Sequence, residues 1–322
     1  MKENKRRNGR NGATQVESRV REDGAENGNG AYEAPTAGRL SVLKTYKIFV
    51  GGKFPRTESG RYYLLKSAKG EAVANMCLCS RKDFRDAVVV ARNAQSSWAG
   101  KSAYNRGQIL YRIAEMLEGR SVQFVSELMQ MGATQRQAEA EVATSVDRCL
   151  YYAGWADKYQ QVFSSVNPVS SSHFNFSMLE PTGVVSIISP ENTGLIGLVS
   201  TVMPAIVGGN TVIALASTTK PLSAVTFAEV IATSDVPGGV INILTGKRDE
   251  LIEHFASHMD VNATVYCGHE SQERATVRLK AASNVKRAIS YDREDWMNNE
   301  AQSPYFILDT QEVKTTWHPV GV

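Results

Sequence analysis

Residues 184–216 read VVSIISPENTGLIGLVSTVMPAIVGGNTVIALA. Positions 184–188 are rich in β-branched residues, and Thr211-Val212-Ile213 opens a second such strand, 211–216. Between them lies an apolar stretch, 195–207, of helical length. No charged residue occurs from Asn192 to Thr219, a length that matches the thickness of a bilayer. Pro204 interrupts the stretch, however, and Gly208-Gly209-Asn210 is a turn signal. The segment therefore reads as strand, helix, strand: one buried βα unit.

The same rhythm continues downstream. Residues 222–232, 250–257 and 271–282 read as helices, and 240–244, 263–266 and 286–290 as strands. Leu251, Ile252 and Phe255 share one face of the second of these helices. Repeated βα units with right-handed crossovers predict an α/β fold, a Rossmann-like parallel sheet with flanking helices. Upstream, Leu110, Ile113 and Leu117, then Phe124, Val125, Leu128 and Met129, recur at helical spacing. Residues 83–160 are accordingly expected to be helical, with Asp83 as the first N-cap. In 161–182 the period changes. Asn167-Pro168 marks a turn, and His173-Phe174-Asn175-Phe176-Ser177-Met178 alternates polar with apolar, the pattern of a β-hairpin. A first strand is expected at 46–50, stopped by Gly51-Gly52. After 290 the rhythm breaks; 296–303 looks irregular, and strands are expected at 305–308 and 313–317.

Composition narrows the function classes. Of 322 residues, 42% are hydrophobic and 21% charged, the usage of an ordinary globular protein with a real core. Four cysteines exclude a disulfide scaffold and suit a reducing compartment. Residues 1–44 carry nine Lys/Arg against six Asp/Glu, which already equals the chain's net charge of +3. The remainder is neutral, so it exerts no global pull on phosphate, and nucleic acid is not an expected partner. The cluster Lys5-Arg6-Arg7 with Arg10 reads as part of a solvated, disordered tail over 1–44. The first thirty residues lack an apolar core of signal-peptide type. A cytoplasmic chain without membrane attachment is the expectation. Glu250, His254 and His258 stand four apart along one helix face, but histidines near a helix C-terminus have a dipole rationale, and no metal is expected.

The ordered string in the sheet region is distinctive. Glu180-Pro181-Thr182-Gly183-Val184-Val185 precedes Pro190-Glu191-Asn192. Then follow Pro204-Ala205, Gly209-Asn210-Thr211-Val212 and Pro237-Gly238-Gly239-Val240-Ile241-Asn242-Ile243-Leu244-Thr245-Gly246. This order resembles the aldehyde dehydrogenase superfamily over roughly residues 46–290. The resemblance implies a cysteine nucleophile, a glutamate base, an oxyanion-stabilising asparagine and NAD or NADP as hydride acceptor.

Position by position, much of that machinery is missing. Asn192 matches the oxyanion asparagine, with Glu191 and Thr193 where the family has aromatic residues. The ribose-binding Lys-Pro-Ser-Glu falls on Leu215-Ala216-Ser217-Thr218. The Gly-Ser-x-x-x-Gly segment falls on Gly268-His269-Glu270-Ser271-Gln272-Glu273, where Glu273 brings a negative charge to the pyrophosphate region. Tyr291 stands where the base belongs, and a phenol does not replace a carboxylate at neutral pH. The nucleophile motif is missing, and Cys267 reads as a buried structural thiol. No catalytic residue is therefore assigned, and Asn192 reads as vestigial. Ile188, Ser189, Asn192, Leu215, Ser217, Gly268 and His269 fall on the family's cofactor-binding positions, as a degenerate site for which no cofactor is required.

The catalytic domain is expected to be absent. The segment Glu312-Val313-Lys314-Thr315-Thr316-Trp317 resembles the family's C-terminal pairing strand, and with Trp296…Glu300-Ala301 before it the chain resembles the non-catalytic second half of aldehyde dehydrogenase family 16. The resemblance divides the chain into a dinucleotide-binding-type domain (45–160 and 183–290) and a small β oligomerisation unit (161–182 and 304–318). It implies a subunit that forms a homo-oligomer, or a hetero-oligomer with a full-length aldehyde dehydrogenase. The alternative is an NAD(P)-binding component of an aldehyde-oxidising complex.

Overall fold

The computed structural model describes residues 42–292 and 295–321. The tail expected at 1–44 lies almost wholly outside them.

The chain opens with β1 (Thr45–Tyr46), β2 (Tyr62–Lys66) and β3 (Ala72–Cys77), which form one small sheet in the order β1-β3-β2. The helices α1 (Arg81–Ala99), α2 (Ala103–Glu118), α3 (Ser121–Gln130), α4 (Gln135–Trp155) and α5 (Tyr159–Phe163) follow. Next come β4 (Ser165–Asn167) and β5 (His173–Pro181). The βα series then runs β6 (Val184–Ile188), α6 (Ile196–Val207), β7 (Thr211–Leu215), α7 (Leu222–Ala232), β8 (Ile241–Leu244), α8 (Arg248–Ser257), β9 (Ala263–Cys267), α9 (Ser271–Ala282) and β10 (Arg287–Tyr291). A short helical turn, α10 (Tyr305–Leu308), and the strand β11 (Gln311–Pro319) complete it.

Five parallel strands lie in the order β10-β9-β6-β7-β8. The strands β6 to β9 are buried throughout, so period-2 alternation sends residues to two different cores. Val185, Ile187, Val212 and Ala214 join Leu110, Ile113, Val199 and Phe227 on one face. Val184, Ile188, Ile213 and Leu215 join Phe84, Val88, Leu251 and Phe255 on the other. There the Phe84 and Phe255 rings stack at 4.1 Å. The apolar helix of the opening stretch is α6, whose every residue is buried although Pro204 sits inside it. Among the described residues no helix is long and apolar enough to cross a membrane.

Several expectations need correction. The first strand is shorter than 46–50: only Thr45 and Tyr46 pair with β3, while Phe49 bridges Ile243. Gly51 (φ 63°) and Gly52 (φ 77°) then turn the chain. Asp83 is not the N-cap of α1; Ser80 is, and the Asp83 carboxylate accepts from the Ser80 backbone N–H at 2.7 Å in a capping box. The hairpin begins at Ser165, because 161–163 finish α5. Residues 305–308 form helix rather than strand, since Pro304 opens the turn and Ser303 Oγ accepts from Tyr305 N–H. The strands β2 and β3 that complete the small sheet have no counterpart in the sequence-based expectations.

Between β10 and β11 the chain closes onto the helical layer through one buried cation. The Arg148 guanidinium, from α4, donates to Ser200 Oγ (3.0 Å), Trp296 O (3.3 Å), Asn298 O (3.2 Å) and Ala301 O. Tyr152 Oη donates to Ser303 O at 3.3 Å. The strand β11 then pairs antiparallel with β5 along nine residues, from Gln311↔Pro181 to Pro319↔His173, giving a sheet in the order β11-β5-β4.

Candidate functional site

A doubly wound sheet presents ligands with a crevice where the strand order reverses, beyond the carboxyl ends. Here the chain runs from β6 to β7 and β8 on one side, then places β9 and β10 on the other. The switch point lies between β6 and β9. Ile188 pairs in register with both Leu215 and Tyr266, which brings Ile188, Ser189, Leu215, Ser217 and Gly268 to one edge. Asn192 is not brought there. It is exposed and lines a separate cavity of about 740 Å³ with Thr193, Lys220, Glu141 and Trp296. His269 is exposed beyond Gly268.

The crevice is filled by the chain's own charged side chains. Arg248, at the start of α8, lies across it, with its side chain only 11% exposed. Its guanidinium donates to Cys267 O (3.0 Å) and to Ser189 O, the backbone carbonyls at the ends of β9 and β6. It also pairs with Glu273 (3.4 Å) and Glu191 (3.7 Å). The Glu191 carboxylate accepts from Ser217 Oγ (2.7 Å), Thr218 N (2.9 and 3.0 Å), Thr219 N (3.4 Å) and Thr219 Oγ1 (3.3 Å). Tyr266 Oη donates to Glu273 at 2.8 Å. Burial, then this bond to a carboxylate, raises the Tyr266 phenol pKa. Ser189 Oγ is buried without a hydrogen-bond partner.

A third carboxylate meets the next electropositive point. Glu141 Oε1, from α4, accepts from Gly194 N (3.0 Å), Leu195 N (2.8 Å) and Ile196 N (3.1 Å), at the start of α6. Ser217 and Thr218, which fall on the family's ribose positions, are thus met from within by Glu191. Over Gly268 the fit is tighter still, because a single added Cβ would stand 2.5 Å from Tyr266 Oη and 3.1 Å from Arg248 Nη1. The edge where the family's cofactor positions fall is thus occupied by Arg248, Glu191 and Tyr266.

The remaining candidates are structural in their surroundings. Tyr291 pairs in register with Cys267. Its hydroxyl donates to Asp309 at 2.7 Å, and its ring packs 4.5 Å from Phe306. Burial, then Asp309, pushes this phenol well above its ordinary pKa. Cys267 is wholly buried. Glu250 pairs with Arg61 at 2.6 Å, whereas His258 lies beyond the end of α8 with its ring edge-on to Phe84. Burial lowers the pKa of both His254 and His258. Sequence reasoning located Glu273 but missed Arg248, Glu141 and the part played by Glu191. Their partners lie between 19 and 59 positions away, so no local pattern marked them.

Fold and edge together define a doubly wound α/β domain, a five-stranded parallel sheet flanked by helices. The aldehyde dehydrogenase family model matches residues 54–308, and the chain belongs to that family. A cytosolic 10-formyltetrahydrofolate dehydrogenase of Xenopus laevis is 29% identical over 272 residues, covering 83% of this chain and 30% of that protein. The cytosolic aldehyde dehydrogenase 1 of Elephantulus edwardii is 31% identical over 249 residues, covering 75% and 49%. The crystal structure of PnpE from Pseudomonas sp. WBC-3 superposes with a TM-score of 0.73 at 26% identity, over 77% of this chain and 51% of that one. The NAD+ complex of an aldehyde dehydrogenase from Bacillus cereus shares the fold, with a TM-score of 0.73 at 23% identity over 77% of this chain and 50% of that one. The chain spans from about 30% to about half the length of these relatives.

Proposed function

We propose that this chain is a non-catalytic aldehyde dehydrogenase-like subunit that pairs through its hairpin and C-terminal strand, either with a second copy or with a full-length aldehyde dehydrogenase. In this reading 45–160 and 183–290 are the scaffold, and 161–182 with 304–318 are the pairing unit. The role requires no cofactor and no activity of the chain alone, and we assign it to the cytoplasm, in keeping with four buried cysteines.

One observation carries the reading. Val166, Phe174, Phe176 and Met178 occupy one face of the β11-β5-β4 sheet, as the pairing of Val166 with Phe176 and the two-residue period require. Val166 is 68%, Phe174 46% and Met178 48% exposed. A contiguous apolar face of this kind marks an interaction surface. Beside it, β11 presents a sheet edge suited to main-chain pairing with another strand.

Sedimentation velocity of the purified chain, alone and mixed with a full-length aldehyde dehydrogenase, tests the reading. A dimer or a mixed complex is expected, dissociated by the double change Phe174→Glu and Met178→Glu. A monomer in both samples would refute it. The isolated chain should also leave NAD+ unreduced in the presence of an aldehyde.

A further inference from the structure

The bonds made by Glu191 have the form of a ligand in a binding site. Two backbone N–H groups, two hydroxyls and one guanidinium converge on its carboxylate from 217–219 and Arg248. That donor set is what a protein offers a bound oxyanion. Only Glu191 itself supplies the anion. The donors do not depend on it for their positions. Arg248 is also held by Ser189 O, Cys267 O and Glu273. The 217–220 turn is closed by Lys220 N donating to Ser217 Oγ (3.0 Å), and Thr218 Oγ1 donates to Gly246 O (3.1 Å). Removing the Glu191 side chain leaves the cradle standing and empties its centre.

We propose that the carboxyl-edge crevice is a self-liganded oxyanion site: Glu191 is its built-in ligand, and the native chain is closed to NAD and NADP because this carboxylate, Arg248 and Tyr266 fill the space. The site takes a small oxyanion, and only once Glu191 is withdrawn. A dinucleotide remains excluded even then, because Tyr266 Oη and Arg248 Nη1 still stand over Gly268. This goes beyond the pairing reading and does not rest on it, since the residues concerned are not those of the hairpin or β11.

The test uses the full chain, as wild type, Glu191→Ala and Glu191→Gln, in thermal melts with acetate or inorganic phosphate against chloride at equal ionic strength. Glu191→Ala should show a saturable rise in Tm of about 3 °C or more with acetate or phosphate. Wild type and Glu191→Gln should show none, because a side chain still fills the cradle. Adding Arg248→Met to Glu191→Ala should abolish the gain. Calorimetry of the wild type with millimolar NAD+ or NADP+ should give no binding heat. An alanine variant no more responsive than wild type would overturn the proposal, as would nucleotide binding by the wild type. If Glu191→Ala does not fold in chloride, refolding in phosphate replaces the melt: recovery supports the proposal and failure overturns it.

Discussion

At the scale of single residues, the clearest lever is Lys286. It is buried, and its ammonium donates to His258 O at 2.7 Å. Desolvation lowers its pKa from 10.5 to about 8. The folded chain therefore holds this proton less firmly than the unfolded chain. The cost to stability is complete below about pH 8 and fades as pH climbs toward the ordinary lysine value. Lys286→Met should accordingly stabilise the protein by about 2 kcal/mol near neutral pH. The advantage should shrink when urea unfolding is repeated above about pH 9. An advantage independent of pH would show that packing, rather than charge, governs the site. Tyr291 teaches a related point about legibility. The sequence shows a tyrosine where the family has its base, and the structure gives the tyrosine a different occupation, bonded to Asp309 and packed on Phe306.

At the scale of elements, the parallel strands were legible because β6 to β9 are short apolar runs buried on both faces, with boundaries that differ from expectation by one residue at β7, β8, β9 and β10. The β2–β3 pair was not, because Leu64 and Tyr62 are exposed and the strand Ala72–Cys77 carries no clean alternation. Helix starts were read less well than helix bodies, for a physical reason. Leu195, at the start of α6, supplies no cap bond, and the carboxylate that serves its amides comes from Glu141 on α4. A cap delivered through the tertiary fold leaves no local signature. Glu141→Ala should cost about 2 kcal/mol, and Glu141→Gln about half of that, since charge-assisted bonds to backbone amides exceed neutral ones. Chemical denaturation of the two variants compares them directly. Equal losses would mean that the charge contributes nothing at this helix end.

At the scale of the molecule, closure between β10 and β11 depends on a guanidinium bonded to three carbonyls and one hydroxyl. Burial lowers the Arg148 pKa, yet removing the guanidinium would take a donor from all four acceptors, of which Asn298 O keeps the Ala301 N–H. Arg148→Met is therefore expected to destabilise by about 3 kcal/mol or more. It should also expose 296–304 to limited proteolysis, which would follow cleavage in that segment. Stability loss without new cleavage would show that the segment is anchored elsewhere.

The Arg248 crossing between β6 and β9 sets the order in which such a crevice can be opened by replacement. Losing the arginine first strands two acidic groups side by side. Losing either glutamate first leaves the arginine matched one-to-one with the other. The order of replacement therefore matters: a glutamate can leave first with the charges still paired, whereas the arginine cannot.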